Sequence, residues 1–284
     1  MTRSIHADLV TEQKKMAYTP SIAITFADNN LPHPVVVDSH LTNHSAGPGC
    51  SVVSGTTIVR AHRVAGVGIE VQRVTAPAVA ANWEVAWTLV EADGNYPALF
   101  AAGTYVVLCY QDAAGNIMYR YSTDYGVTWS AEAVVVATLA YTLNGTQYGI
   151  SAASANRGAL MWGDTSTTLS IKTYFATTDT WQTTYTKVFA GTVWPSSGVN
   201  VSGDEYLLAV IVVDYATWTD CAIVIQPYTR SNVWGTATTY IGVQGGTGAD
   251  PAYKFDYACL AKVGTAYWLT YRYAASLADG AMYD

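Results

Sequence analysis

The feature that most limits how this chain can fold is a spacing. Four tryptophans close polar, turn-rich stretches: Trp83, Trp129, Trp181 and Trp234, separated by 46, 52 and 53 residues. Short apolar runs fill the intervals, bounded by Gly, Asn, Asp and Ser, which is the pattern of strands joined by tight turns. An aspartate recurs with them: Asp112 and Asp164 each stand 17 residues before their tryptophan, and Asp214 stands 20 before. A period of this length with four short strands apiece predicts an all-β fold, a β-propeller of four-stranded blades. A two-sheet sandwich gives no reason for a loop tryptophan to return at that interval.

Five blades are expected, over residues 50–91, 92–140, 141–192, 193–244 and, in part, 245–284. The strands of the first lie near 57–64, 68–74 and 85–90, and those of the second near 98–102, 105–110, 117–122 and 133–137. The third takes 149–153, 159–162, 169–175 and 185–189; the fourth takes 198–202, 206–213, 222–227 and 238–243. The fifth begins with 253–261 and 267–273. Gly280-Ala-Met-Tyr-Asp284 aligns with Asn116-Ile-Met-Tyr-Arg120, the start of a third strand. Either the strand-like stretch 18–26 completes the ring or, as we expect, the polypeptide continues past Asp284. Ahead of the blades, residues 1–17 read as a docking segment with a short amphipathic helix over 4–16, carrying Ile5, Leu9 and Met16 on one stripe. Residues 18–49 read as a strand and a loop-rich lead-in.

Composition narrows the function classes. Half of the residues are hydrophobic, enough for a sizeable core, but only 12% are charged, roughly half the usual share. Polar surface must therefore come from Ser, Thr, Asn, Gly and Tyr, as in many extracellular and virion β-proteins. The net charge of −7 is scattered, and with no basic stripe nucleic-acid binding has no support. No apolar run reaches the length of a membrane span, and the N-terminus lacks the apolar core of a signal peptide. The cysteines Cys50, Cys109, Cys221 and Cys259 stand far apart, so neither a zinc nor a redox motif is formed. His33, His40 and His44 fall in a Ser/Thr/Asn/Gly/Pro-rich stretch and read as surface residues; no metal or cofactor is expected.

Ser122-Thr-Asp124-Tyr-Gly126-Val-Thr128-Trp129 resembles the Asp-box, Ser-x-Asp-x-Gly-x-Thr-Trp, of sialidases and related propellers. Ala176-Thr-Thr-Asp179-Thr-Trp181 is a shortened relative. The resemblance implies a structural hairpin between the third and fourth strands of a blade, away from any central pocket. Physical chemistry agrees: Ser122 and Asp124 accept bonds from turn amides, Gly126 permits positive φ, and Trp129 buries apolar surface between blades. The sialidase catalytic set does not carry over. The Arg-Ile-Pro strand is absent, and after residue 74 the only arginines are Arg120, Arg157, Arg230 and Arg272. The opening Ala7-Asp-Leu-Val-Thr-Glu-Gln-Lys-Lys-Met-Ala-Tyr-Thr-Pro-Ser21, followed by a strand and such blades, also resembles bacteriophage tail and fibre proteins.

Other chemistry is weak. Asp112, Asp164 and Asp214 repeat at equivalent places, so each reads as opening a turn; catalytic carboxylates need unlike environments. Gly242–Gly248 lacks the Lys-Ser/Thr of a phosphate loop, and Asn200-Val-Ser202 fits a glycosylation sequon. Trp194, Tyr215 and Trp218 are the aromatics placed to meet a ligand, against the alternative that they pack between blades. The expectation is a non-enzymatic, virion-associated or extracellular propeller, structural or binding a cell-surface glycan, oligomeric, and joined to other tail subunits through its N-terminal segment. The alternatives are an Asp-box glycoside hydrolase with catalytic residues partly outside this chain, or a secreted carbohydrate-binding module.

Overall fold

The computed structural model describes residues 50–77, 86–137, 147–151, 156–203, 205–213, 221–243 and 255–273. The expected N-terminal helix and lead-in lie outside the described residues, as do Trp83, Asp214, Tyr215 and Trp218.

Five antiparallel sheets follow one another along the chain. Sheet I is β1 (Cys50–Ser54), β2 (Thr57–Val64), β3 (Gly68–Thr75) and β4 (Thr88–Glu91). Sheet II is β5 (Asn95–Ala102), β6 (Tyr105–Gln111), β7 (Ile117–Ser122) and β8 (Ala133–Val136). Sheet III holds β9 (Gln147–Ser151), β10 (Arg157–Thr165) and β11 (Thr168–Phe175), with its fourth strand broken into β12 (Thr180–Trp181) and β13 (Tyr185–Val188). Sheet IV repeats that break: β14 (Thr192–Ser202), β15 (Glu205–Val213), β16 (Cys221–Thr229), then β17 (Val233–Trp234) and β18 (Thr238–Val243). Sheet V is the pair β19 (Phe255–Val263) and β20 (Ala266–Tyr273). The fold is a β-propeller of four-stranded blades.

The core lies between sheets. Val59, Ala61, Ile69 and Val71 of sheet I meet Leu99, Val106, Leu108 and Tyr110 of sheet II. The opposite face of sheet II, with Phe100, Val107, Cys109 and Tyr119, meets Leu160, Trp162 and Tyr174 of sheet III. Ala159, Met161 and Ile171 then pack on Tyr206, Leu208 and Val210, and Ala209, Ile211 and Ile223 on Ala258 and Leu260. A strand packed on both faces must be apolar at consecutive positions, which is why Tyr105–Tyr110 and Leu207–Val213 read as continuous apolar runs.

First strands lie against first strands, and small residues let them approach. A Cβ added at Gly149 would stand 2.3 Å from the Leu99 carbonyl oxygen. Serines tie these strands together: the Ala101 amide donates to Ser151 Oγ at 2.8 Å. Ser196 Oγ accepts from the Ala258 amide and donates to its carbonyl, at 2.6 and 2.7 Å, and the Leu260 amide donates to Ser197 Oγ at 2.7 Å. Backbone groups that no sheet pairs are thereby satisfied by the neighbouring blade.

Candidate functional site

The hairpin after β7 is organised by two side chains. Ser122 Oγ accepts from the Gly126 amide at 2.7 Å and donates to Asp124 Oδ1 at 2.7 Å. Asp124 Oδ1 accepts the Val127 and Thr128 amides at 3.1 and 2.9 Å, and Oδ2 accepts the Thr128 hydroxyl at 2.7 Å. The Thr128 amide first, then the Ser122 and Thr128 hydroxyls, hold the Asp124 carboxyl down at about 2. Tyr125 and Gly126 both take left-handed backbone, φ 60° and 88°. The turn is pressed on sheet I: Arg73 Nε donates to the Tyr125 carbonyl at 3.0 Å, and Trp129 packs on the core between sheets I and II.

The later hairpins keep the tryptophan and change the rest. Register puts Tyr174 and Tyr228 where sheet II has Ser122: each pairs with its tryptophan, Trp181 or Trp234. The residue after each tryptophan donates to the residue before that position, in Ser130 to Tyr121, Gln182 to Thr173 and Gly235 to Pro227. Asp179 Oδ1 accepts the hydroxyls of Tyr174 and of Tyr119 in sheet II, both at 2.9 Å. Trp181 meets Phe100 and Tyr119 edge-on, while Trp234 stacks at a tilt on Tyr228. These hairpins fasten a blade to the one before it, and their side chains are engaged in doing so.

A second fastening, which the sequence reading did not single out, occupies one position of the third strand. Arg120 Nη2 reaches Glu91 Oε2 of sheet I at 2.9 Å while Nη1 donates to the Ser130 carbonyl. Glu132 lies 3.7 Å from the same guanidinium, and Tyr110 donates its hydroxyl to Glu91. Lys172 Nζ, at the matching place in sheet III, donates to the Val135 carbonyl of sheet II at 2.6 Å. Partial burial opposes the charge of Glu91, but the Arg120 bonds outweigh it and hold the carboxyl below its ordinary range. Burial pushes the Tyr110 phenol upward, reinforced by the Glu91 charge.

The turn aspartates are structural in geometry. Asp112 accepts the Asn116 amide and side-chain amide at 2.8 and 2.7 Å, and Asp164 accepts the Ser170 hydroxyl. Trp194, expected to face a ligand or a blade, packs partly buried against the core between sheets IV and V. Asn200 of the sequon is 5% exposed and donates to the Gly203 and Glu205 carbonyls, so it is no acceptor for a glycan. Cys109 is fully buried, and burial pushes the Cys50 thiol up to about 12, so neither serves as a nucleophile. Among the described residues no three His, Cys, Asp or Glu converge as metal ligands.

One polar cluster fastens no described hairpin. On β2, β3 and the approach to β4, Arg60 donates to Gln72 Oε1, and His62 Nε2 lies 3.3 Å from Glu70 Oε2. The His62 ring stacks on Trp87 at 3.8 Å and 15°, and Arg60 Cζ lies 5.0 Å from the same indole.

No family model matches this sequence, and no curated protein does. Solved structures do resemble it in shape. AofleA from Arthrobotrys oligospora is 13% identical, with 81% of this chain and 66% of that one covered and a TM-score of 0.52. An ulvan lyase of a new polysaccharide lyase family, bound to a glucuronate–sulfated rhamnose unit, is 9% identical over 80% of this chain and 67% of that one, TM-score 0.51. The Aleuria aurantia lectin in complex with α-methyl-L-fucoside is 11% identical over 80% and 70%, TM-score 0.50. The chain spans about two thirds of the length of these proteins, and the likeness is one of fold.

Proposed function

We propose that this chain is a non-catalytic, glycan-binding propeller that works outside the cell or on a virion. The observation that carries the reading is the blade-on-blade arrangement, shared with a lectin solved with a fucoside and a lyase solved with an oligosaccharide. The low charge and the Ser/Thr/Tyr-rich surface suit that setting, and the Ser122–Trp129 hairpin supports kinship with Asp-box propellers. Two carboxylates bear on the non-catalytic part: Glu91 and Asp124 are both held toward the ionised form and engaged in fastening blades. A glycosidic general acid needs the opposite shift. Attachment to neighbouring tail subunits through residues 1–17, in an oligomeric assembly resembling phage tail fibres, completes the proposal.

Fold alone does not fix function, so the test is direct. The intact chain is applied to an array of neutral and acidic glycans and, separately, incubated with the polysaccharides bound. Retention on a defined sugar with no release of reducing or unsaturated ends is the expected result. Chain cleavage would instead favour the lyase or hydrolase reading, for which the ulvan lyase fold is the supporting observation.

A further inference from the structure

Two hairpins carry an aspartate ahead of their tryptophan and use it differently. In sheet II, both oxygens of Asp124 accept from donors of its own turn. In sheet III, Asp179 Oδ1 instead accepts the hydroxyls of Tyr119 and Tyr174, both at 2.9 Å. Its Oδ2 accepts no bond from any described residue, and Asp179 is exposed. The hairpin does not need this carboxylate. Sheet IV has Asn232 two residues before Trp234, with the same left-handed backbone, φ 64° against 48° for Asp179. There Tyr228, the counterpart of Tyr174, pairs with Trp234 although its hydroxyl is buried with no hydrogen-bond partner. A carboxylate fixed through one oxygen and open at the other is thus particular to the seam between sheets II and III.

Two more tyrosines stand beside it. Tyr121 follows Tyr119 on the same face of β7, and the Tyr105 ring lies 5.9 Å from that of Tyr121. Both are half-buried against the seam, neither hydroxyl bonds a described residue, and both hydroxyls reach solvent. Burial and then the Asp179 carboxylate push the Tyr119 and Tyr174 phenols upward, and the nearby Tyr121 phenol adds to both. Resting on the glycan-binding reading above, we propose that this seam carries a subsite for a neutral saccharide, in which Asp179 Oδ2 and the Tyr105 and Tyr121 hydroxyls bind sugar hydroxyls. An open carboxylate oxygen has lone pairs for two donors, and a phenol both donates and accepts, as a sugar hydroxyl does. Bonds to the carboxylate are charge-assisted, the stronger kind. No described cation pairs with Asp179; Lys172, on the same face of β11, donates to the Val135 carbonyl. A uronate or sulfated sugar would meet that negative charge and be repelled. The groups that touch sugar are open, while Tyr119 and Tyr174 behind them are 6% and 0% exposed, the layering a preformed site requires.

The test uses the intact chain and the sugar that the array identifies, expected to be neutral. D179N, the exchange that sheet IV tolerates, and the double variant Y105F/Y121F, which keeps both rings, are titrated beside the unaltered protein. Thermal melting checks folding. Each variant is expected to weaken binding at least about fivefold with the melting temperature unchanged. D179N should also narrow the preference for a neutral sugar over its uronate, a ratio that general loosening of the fold would not move. If D179N melts early, the double variant decides by the same threshold. A smaller loss, or retention of acidic glycans alone, would overturn the subsite and leave the glycan-binding reading standing. An unaltered protein that binds no glycan would overturn both.

Discussion

Asp124 shows how much of a loop one carboxylate can organise. It accepts two amides and two hydroxyls within the turn from Ser122 to Thr128, and those donors favour its charged form down to about pH 2. The sign of the linkage follows. A carboxyl whose folded value lies below its unfolded value contributes stability above the unfolded value, near 4, and loses it as pH falls toward 2. Because the carboxyl is open to solvent, screening leaves only part of the shift as stability. D124N keeps the shape, removes the titration and weakens the acceptor. Its melting temperature should lie below that of the unaltered protein at pH 6, with the gap narrowing between pH 4 and 2. Curves that stay parallel through that window would show that Asp124 does not set the acid limb.

At the scale of elements, sheets II, III and IV are each tied to the sheet before by a hairpin tryptophan, and sheets II and III also by a cation on the third strand. Arg120 and Glu91 illustrate the second tie, with side chains 22% and 13% exposed. Removing one partner of such a pair leaves the other charge poorly solvated, whereas removing both can cost little. R120M and E91Q should therefore each destabilise by about 1–3 kcal/mol, and the double variant by less than their sum. Denaturant unfolding measures the cycle; additive losses would mean the pair is only a surface contact. How far the sequence disclosed these elements varies with their chemistry. The run 117–122 was legible to the residue, because Ile117, Tyr119 and Tyr121 alternate against a turn on each side. The first strand of sheet IV runs from Thr192, not from near 198, because a bulge between Pro195 and Ser197 absorbs a proline that reads as a strand stop. The Arg60–Trp87 cluster escaped notice for a different reason. Nothing local marks Arg60 as unusual in Thr57–Val64; only its place beside Trp87 in the folded sheet does. Trp194 was legible as an aromatic that either meets a ligand or packs between blades; its seat between sheets IV and V depends on a packing the sequence does not spell out.

Across the whole molecule, stability should follow how many faces of a sheet are sealed. β6 is sealed twice, by Val106 and Leu108 on one side and Val107 and Cys109 on the other. β10 and β15 have the same arrangement, through Leu160 against Met161 and Leu208 against Ala209. β19 is sealed once: Ala258 and Leu260 pack on sheet IV, while Cys259 and Ala261 alternate with them and are exposed. The serine bonds from Ser196 and Ser197 hold the inner edge of β19 but cover none of that open face. Opening free energy scales with the apolar contacts that must be lost, so local unfolding is expected to begin at sheet V and spread inward. Hydrogen exchange on the intact chain should find the amides of β6, β10 and β15 the slowest, and those of β19 and β20 faster by at least tenfold. Equal protection in β19 and β15 would mean that the exposed face is covered in solution, by another part of the polypeptide or by a second copy. In that case, melting temperature should change with protein concentration only if the cover is a second copy.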